Sequence, residues 1–213
     1  LAHRHSNAEP QALVPGEPTD IRMTLDACGY RFAPGHRIRL ALSSAYWPTI
    51  LPPPTDASLD IDLATVGLSL PLIGAHRRIE VAEPANPDPL PRYEAIAEGD
   101  GRRSVERDLV SGLTTYRVFE DTGLNRHPGN GLAARDIREE SWSIRAGDPL
   151  SMIGEARWSC EARREGWDVR TECVSTIACT ETEWLISGTV EAFHDGHRVF
   201  SRTKTHRIPR DHM

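Results

Sequence analysis

The chain has 213 residues, a formal net charge of −6 and 38% hydrophobic residues. This length suits one large domain or two small ones, with enough apolar side chains to form a core. The negative charge disfavours nucleic acid or an anionic membrane surface as a partner. No apolar run is long enough to cross a bilayer, and no secretory signal peptide is present. The sequence therefore predicts neither a nucleic-acid nor a membrane partner.

The first half of the chain predicts short β-strands. In the segment YRFAPGHRIRLALSSAYWP, residues 30–48, Ile38, Leu40 and Leu42 alternate with Arg37 and Arg39. Alternation at a period of two is typical of a half-buried strand. The same pattern predicts strands at residues 21–25, 37–42, 59–63, 68–73 and 77–81.

The first half of the chain and its end contain two proline-rich segments. Residues 48–54 form a proline-rich loop, and residues 83–93, EPANPDPLPRY, contain four prolines. Because proline lacks a backbone donor and resists both helix and central strand, the second run reads as a linker. The expected organisation is a first unit at 1–82, a linker at 83–95 and a second unit at 96–213.

The second half predicts longer antiparallel strands. Residues 105–109 and 114–119 flank Ser111-Gly112, a hairpin signal, and a further strand is expected at 137–144. Four long runs follow at 150–163, 167–179, 184–193 and 198–208, and Asp195-Gly196 suits the tight turn between the last two. We expect an all-β, antiparallel chain that ends in a four-stranded meander with one dry and one wet face.

The run 150–163 also predicts a core tryptophan. Trp158 shares one strand face with Met152, Ala156 and Cys160, whereas charged and hydroxyl side chains dominate the other face. Because one face of such a meander is expected to be dry, Trp158 is predicted to lie in the core.

The sequence offers no convincing catalytic or metal site. A nucleophile elbow needs Gly-x-Ser-x-Gly, but Gly67-Leu68-Ser69-Leu70-Pro71 has proline in place of the second glycine. The histidine pairs His3/His5 and His194/His197 lack convergent ligands, and the four cysteines form no CxxC pair. We therefore expect no catalytic residue, no bound metal and no cofactor, and we read the cysteines as structural free thiols.

Tyr46 and Trp47 are the candidate ligand-binding residues. They end the strand at 37–42, and their rings could stack on a sugar or on an aromatic group. The alternative is that they are core aromatics that fix a loop to a β-sandwich, which is the commoner role of such residues.

Several motifs of residues 1–81 resemble one enzyme family. They are the L-x-H-R opening, the V-P-G-E turn at residues 14–17, the Y-R-F-x-x-G-H-R-I-R-L strand and the S-x-A-Y-W-P ending. Together they resemble the C-terminal accessory region of X-prolyl dipeptidyl-peptidase and cocaine-esterase-like serine hydrolases. From Ser104 onward, the likeness to the C-terminal β segment of longer members is less specific. The resemblance implies a jelly-roll sandwich, here partial, beside an α/β-hydrolase domain that carries a Ser–Asp–His triad.

No triad residue transfers to this chain, because the resemblance covers the accessory region without the catalytic domain. The implied function is a non-catalytic region of a dipeptidyl-peptidase or acyl esterase that packs on the hydrolase domain and shapes it. Residue 1 is Leu, so the chain is expected to begin inside a larger protein, which we expect to be cytoplasmic. An apolar surface exposed in the first half could also support a homodimer. The alternative is a free-standing module that binds carbohydrate or a small apolar ligand.

Overall fold

A computed structural model describes residues 1–72, 82–83 and 89–212, and these residues contain nine β-strands and no helix. In chain order the strands are β1 Glu94–Ala97, β2 Asp100–Arg107, β3 Leu113–Asp121, β4 Leu124–Arg126, β5 Ala133–Arg145, β6 Asp148–Arg164, β7 Trp167–Cys179, β8 Glu183–His194 and β9 His197–Pro209. All of the pairings are antiparallel, which confirms the all-β prediction.

The nine strands form one open sheet. β1 pairs with β4, and β2 pairs with β3. β3 and β4 then lie end to end along the same edge of β5. From β5 each strand pairs with the next as far as β9. The sheet is thus a meander of seven rows, whose first two rows are each divided between two strands.

Two facing glycines mark that division. A Cβ added to Gly99 would lie 2.3 Å from the Asp121 carbonyl oxygen, and one added to Gly123 would lie 2.5 Å from the Ala97 carbonyl oxygen. Gly123 also has a φ of 70°, which side-chain-bearing residues rarely adopt. The backbones cross so closely here that only glycine fits both positions.

The sequence located the hairpins of the second half well. The four predicted long runs correspond to β6, β7, β8 and β9, and the predicted first hairpin corresponds to β2 and β3. Asp195 and Gly196 have φ angles of 49° and 76°, as the predicted tight turn requires. The short strands β1 and β4 were not predicted, because three or four residues are too few to show an alternation.

The strand predictions for the first half are wrong where the structure can be compared with them. Residues 21–25, 37–42 and 59–63 form no strand, and the described part of 68–73 forms none either. Alternating side chains suit a strand, but a strand exists only where a neighbour pairs with its backbone groups. The described residues supply no such neighbour. The strand expected at 77–81 and most of the predicted linker lie outside the described residues.

The prediction that Trp158 is a core residue is also wrong, because its side chain is 48% exposed. Its face was assigned correctly: in register it lies between Arg138 of β5 and Cys173 of β7. Burial instead concentrates elsewhere on that face, at Met152 and Trp184, which are 0% and 8% exposed. Alternation identifies the face of a sheet but not which part of that face another segment covers.

Candidate ligand pocket beneath the proline strap

A proline-rich segment of the first half, residues 47–54, lies against the sheet, and we call it the proline strap. It begins with a cis peptide bond between Trp47 and Pro48. The backbone N–H of Ile50 donates to the Tyr46 carbonyl oxygen at 2.8 Å and so closes a turn around this bond. Trp47 is half-buried and its indole N–H is buried without a hydrogen-bond partner, whereas Tyr46 is 68% exposed.

Arg210, just beyond β9, fastens the proline strap to the sheet. Its side chain is 1% exposed, and its Nη2 donates to the Pro52 carbonyl oxygen at 2.7 Å. Its Nη1 donates to the Thr180 carbonyl oxygen at 3.0 Å, and the guanidinium lies 4.1 Å from the centre of the Trp184 ring. Burial lowers the pKa of Arg210, but an arginine stays cationic in proteins. The contact thus joins positions 52 and 210 through a buried charge.

The sheet below the start of the strap presents two aromatic rings. Tyr116 of β3 and Trp142 of β5 are directly opposite one another, so they share one face. Gly154 of β6 is opposite Trp142 on the other side, and a Cβ there would lie 2.5 Å from the indole Cζ3. The indole therefore rests on the bare backbone of Gly154, which explains a glycine in the interior of a strand.

A cavity of about 280 Å³ lies between the strap and these rings. The lining residues come from both halves of the chain: Pro48 and Thr49 of the strap, and Arg103, Tyr116, Val118, Arg138, Glu140 and Trp142 of the sheet. Val118, one of the sheet residues that line the cavity, is only 6% exposed. The strap thus turns one patch of an open sheet into a two-walled pocket.

The charged groups of the pocket are arranged in pairs. Glu120 accepts from Arg103 at 3.0 Å and from Arg138 at 2.6 Å, and the Arg103 hydrogen bond and the Arg138 charge hold the pKa of Glu120 below its usual value. Arg138 Nε lies 3.4 Å from Glu140 Oε1, and Trp142 Nε1 donates to Glu140 Oε2 at 3.5 Å. Arg138 Nε is nevertheless buried without a hydrogen bond of good geometry. The pocket holds polar groups but little net charge.

A second, larger groove of about 750 Å³ lies where the β6–β7 turn meets the loop between β4 and β5. Its charged lining residues are three arginines and three acids, namely Arg126, Arg163, Arg164, Glu165, Asp168 and Asp195. These charges balance, and one of the arginines, Arg126, is already paired with Glu94 at 3.0 Å. The groove shows no preference for an anion or a cation.

The comparison with protein families concerns the half of the chain that contains the strap. Residues 1–87 match the family model of the X-Pro dipeptidyl-peptidase C-terminal non-catalytic domain. The match confirms the resemblance found in the sequence. Neither a curated protein nor a solved structure matches the chain. The strap lies within this non-catalytic-domain segment, whereas the aromatic floor of the pocket lies beyond it.

The other candidate residues from the sequence have no surroundings that suggest catalysis or metal binding. His3 Nε2 is hydrogen-bonded to the Asp211 carbonyl oxygen at 2.9 Å, and His194 Nδ1 lies 3.5 Å from Asp195 Oδ2. Within the described ranges, no hydrogen bond joins a serine hydroxyl to a histidine ring, and no three His, Cys, Asp or Glu side chains cluster as metal ligands would. No helix in that part of the chain is long and apolar enough to span a membrane.

The cysteines are free thiols in the described structure. Burial, followed by a hydrogen bond with Asp136, raises the pKa of Cys160 to about 11. Burial also raises the pKa of Cys179, which the neighbouring Arg210 partly opposes. Because the thiolate is the nucleophilic form, these raised values leave both thiols unreactive at neutral pH.

Sequence reasoning named Tyr46 and Trp47 but missed the floor of the pocket. Tyr116, Trp142 and Arg138 lie 68 or more positions from Pro48 in the chain, and no local pattern connects them to the strap. One signal was available: Gly154 lies on the apolar face of an alternating run, and a glycine inside a strand often marks a close approach by another group.

Proposed function

We propose that this chain is the non-catalytic C-terminal region of a serine hydrolase that acts in its intact form as a dipeptidyl-peptidase or acyl esterase. The match of residues 1–87 to the X-Pro dipeptidyl-peptidase C-terminal non-catalytic domain carries the proposal. In the intact protein the chain packs on the hydrolase domain and shapes the rim of its active site. The free cysteines favour a cytoplasmic location, where thiols stay reduced.

The exposed side chains of the first half support this role. Ile21, Met23 and Leu25 are 36%, 58% and 59% exposed, and they alternate as the side chains of a half-buried strand do. Ile38, Leu40 and Leu42 are likewise 54%, 41% and 45% exposed. Apolar rows of this kind are stable in water only when another surface covers them. The proposal assigns that surface to the hydrolase domain, against which these segments complete a jelly roll.

The test compares the full-length gene product with the isolated chain of residues 1–213. We expect the full-length protein to hydrolyse an X-Pro p-nitroanilide or p-nitrophenyl acetate, and a serine-directed phosphonate to stop it. The isolated chain should turn over neither substrate. Turnover by the isolated chain that Ser69→Ala abolishes would overturn the proposal, as would a full-length protein with no phosphonate-reactive serine.

A pair of variants tests the packing itself. Met23→Ser in the full-length protein should lower its stability and its activity, because Met23 is proposed to face the hydrolase domain. Val199→Ser, at a β9 position that is 64% exposed, is the matched control and should change neither. Equal effects of the two variants would contradict the proposed contact. If sedimentation instead shows that the isolated chain forms a stable dimer through the Met23 surface, a second copy is the partner.

A second candidate function is the binding of a small molecule, and the cavity beneath the proline strap favours it. Pockets that take small ligands combine aromatic side chains with a few polar groups, and this cavity has Tyr116 and Trp142 beside Arg103, Arg138 and Glu140. This candidate is independent of the hydrolase, because all of its lining residues belong to this chain.

A further inference from the structure

We infer that the cavity beneath the proline strap binds a neutral, ring-shaped polyol, of which a pyranose sugar is the simplest example. The inference rests on the second candidate function, small-molecule binding, and names its ligand class. It rests on two features of the pocket: its aromatic wall and its paired charges.

The aromatic wall suits a flat ligand with an apolar face. Tyr116 and Trp142 are directly opposite across β3 and β5, and the Trp142 indole is held against the backbone of Gly154. The axial C–H groups of a pyranose form an apolar face of similar extent to one aromatic ring. Pro48 and Thr49 close the other side of the cavity, whose volume of about 280 Å³ admits one such ring.

The paired charges argue against an anionic ligand. Arg103 and Arg138 both bind Glu120, and Arg138 also lies 3.4 Å from Glu140, so an added carboxylate or phosphate would compete with acids already in place. The same groups retain hydrogen-bonding capacity, because a guanidinium has five N–H donors and a carboxylate accepts about four hydrogen bonds. Hydroxyl groups can use both kinds of site at once, since each hydroxyl donates and accepts.

The test uses the isolated chain and three probes in saturation-transfer NMR and calorimetry. Methyl β-D-glucopyranoside is the neutral pyranose, glucuronate is its anionic analogue and indole is an apolar ring without hydroxyls. We expect the pyranoside to bind with a Kd on the order of 1 mM, as a small polar ligand does. Glucuronate should bind no more tightly.

Variants locate the binding. Trp142→Leu should weaken pyranoside binding about tenfold, whereas Trp167→Leu, at a half-exposed tryptophan that lines the other groove, should leave it unchanged. If Trp142→Leu fails to fold, Glu140→Gln keeps the shape of the side chain and should still weaken binding about tenfold, because it removes a charged acceptor.

The outcomes separate the inference from the function on which it rests. If indole binds at Trp142 but the pyranoside does not, the polyol inference fails and small-molecule binding stands. If glucuronate binds tenfold more tightly than the pyranoside, the neutral-ligand argument is overturned. If no probe binds, both fail. Pyranoside binding that Glu140→Gln and Trp142→Leu leave unchanged would also overturn the inference.

Discussion

Residues 1–72 and residues 94–209 carry the same sequence pattern but have different structures. Both alternate apolar and polar side chains at a period of two, yet only the second region forms strands. The difference lies in where a partner strand comes from. In the second region each strand from β5 to β8 turns directly into its next partner, as at Asp195-Gly196, so most of the pairing is local. The described residues of the first region have no hairpin of this kind, and the proposed function assigns the partners of its extended segments to the hydrolase domain.

Hydrogen exchange gives the largest contrast between the two regions. Backbone amides of β6, β7 and β8 should exchange at least about a thousandfold more slowly than those of residues 21–42, because ladder hydrogen bonds must open first. Mass spectrometry of peptic fragments from the isolated chain measures this. Comparable protection in residues 21–42 would mean that the first region forms its own ladder. In the full-length protein, protection should rise in that region alone.

Trp184 and Trp158 lie on the same face of the sheet, one in a covered part and the other in an uncovered part. Trp184→Ala should lower the free energy of unfolding by about 3–5 kcal/mol, because the ring is 8% exposed and supports Arg210. Trp158→Ala should cost less than about 1 kcal/mol, because that ring is 48% exposed. Urea denaturation of the isolated chain compares them. Equal costs would show that something covers Trp158 in solution.

Two glycines inside strands, one in β6 and one in β8, test the packing under the pocket. Gly154→Ala should destabilise the chain by about 1–3 kcal/mol, because the new Cβ would meet the Trp142 ring and Ile177 Cγ2 within 2.8 Å. Gly188→Ala is the control, since its Cβ would meet only Ser175 Oγ at 3.8 Å. We expect that variant to be neutral or more stable by about 0.5 kcal/mol. If Gly154→Ala does not lower the stability, the Trp142 indole does not lie against the β6 backbone.

The smallest effect is expected from the removal of an acid-sensitive ion pair within the strand-forming region. Arg135 donates to Asp121 at 2.9 and 2.5 Å, and this hydrogen bonding holds the pKa of Asp121 below its usual value. The stabilisation is therefore present above pH 4 or so, the unfolded pKa, and is lost as the pH falls through the folded pKa.

Asp121→Asn should cost about 1–2 kcal/mol at pH 7 and progressively less as the pH falls through the folded pKa of Asp121, which thermal unfolding at neutral and at acidic pH would measure. Asp148→Asn, which removes an exposed pair with Arg145 at 4.0 Å, should cost less than about 0.5 kcal/mol at either pH. A cost for Asp121→Asn that stays constant with pH would show that the charge of Asp121 contributes no stability.

Local signals account for what the sequence predicted correctly. Hairpins with two-residue turns and long alternating runs indicate both the strands and their register, so β6 to β9 could be predicted from the sequence. The burial of Trp184 and the exposure of Trp158 were not, because both occupy the same kind of alternating position. Their difference depends on where the strap lies, and the contact between Pro52 and Arg210 joins residues 158 positions apart. The pocket was missed for the same reason, although Gly154 hinted at it.

The contact between Arg210 and the proline strap also determines how the molecule responds to a mechanical force. His3 is hydrogen-bonded to the Asp211 carbonyl oxygen, and Arg210 binds Pro52, so the two ends of the chain meet beside one another. A force applied between residues 1 and 213 would act first on this junction and not along the ladders of β5 to β8. In an optical trap the first rupture should be a small, early event that releases residues 1–72. The sheet should then peel from β9, one strand at a time.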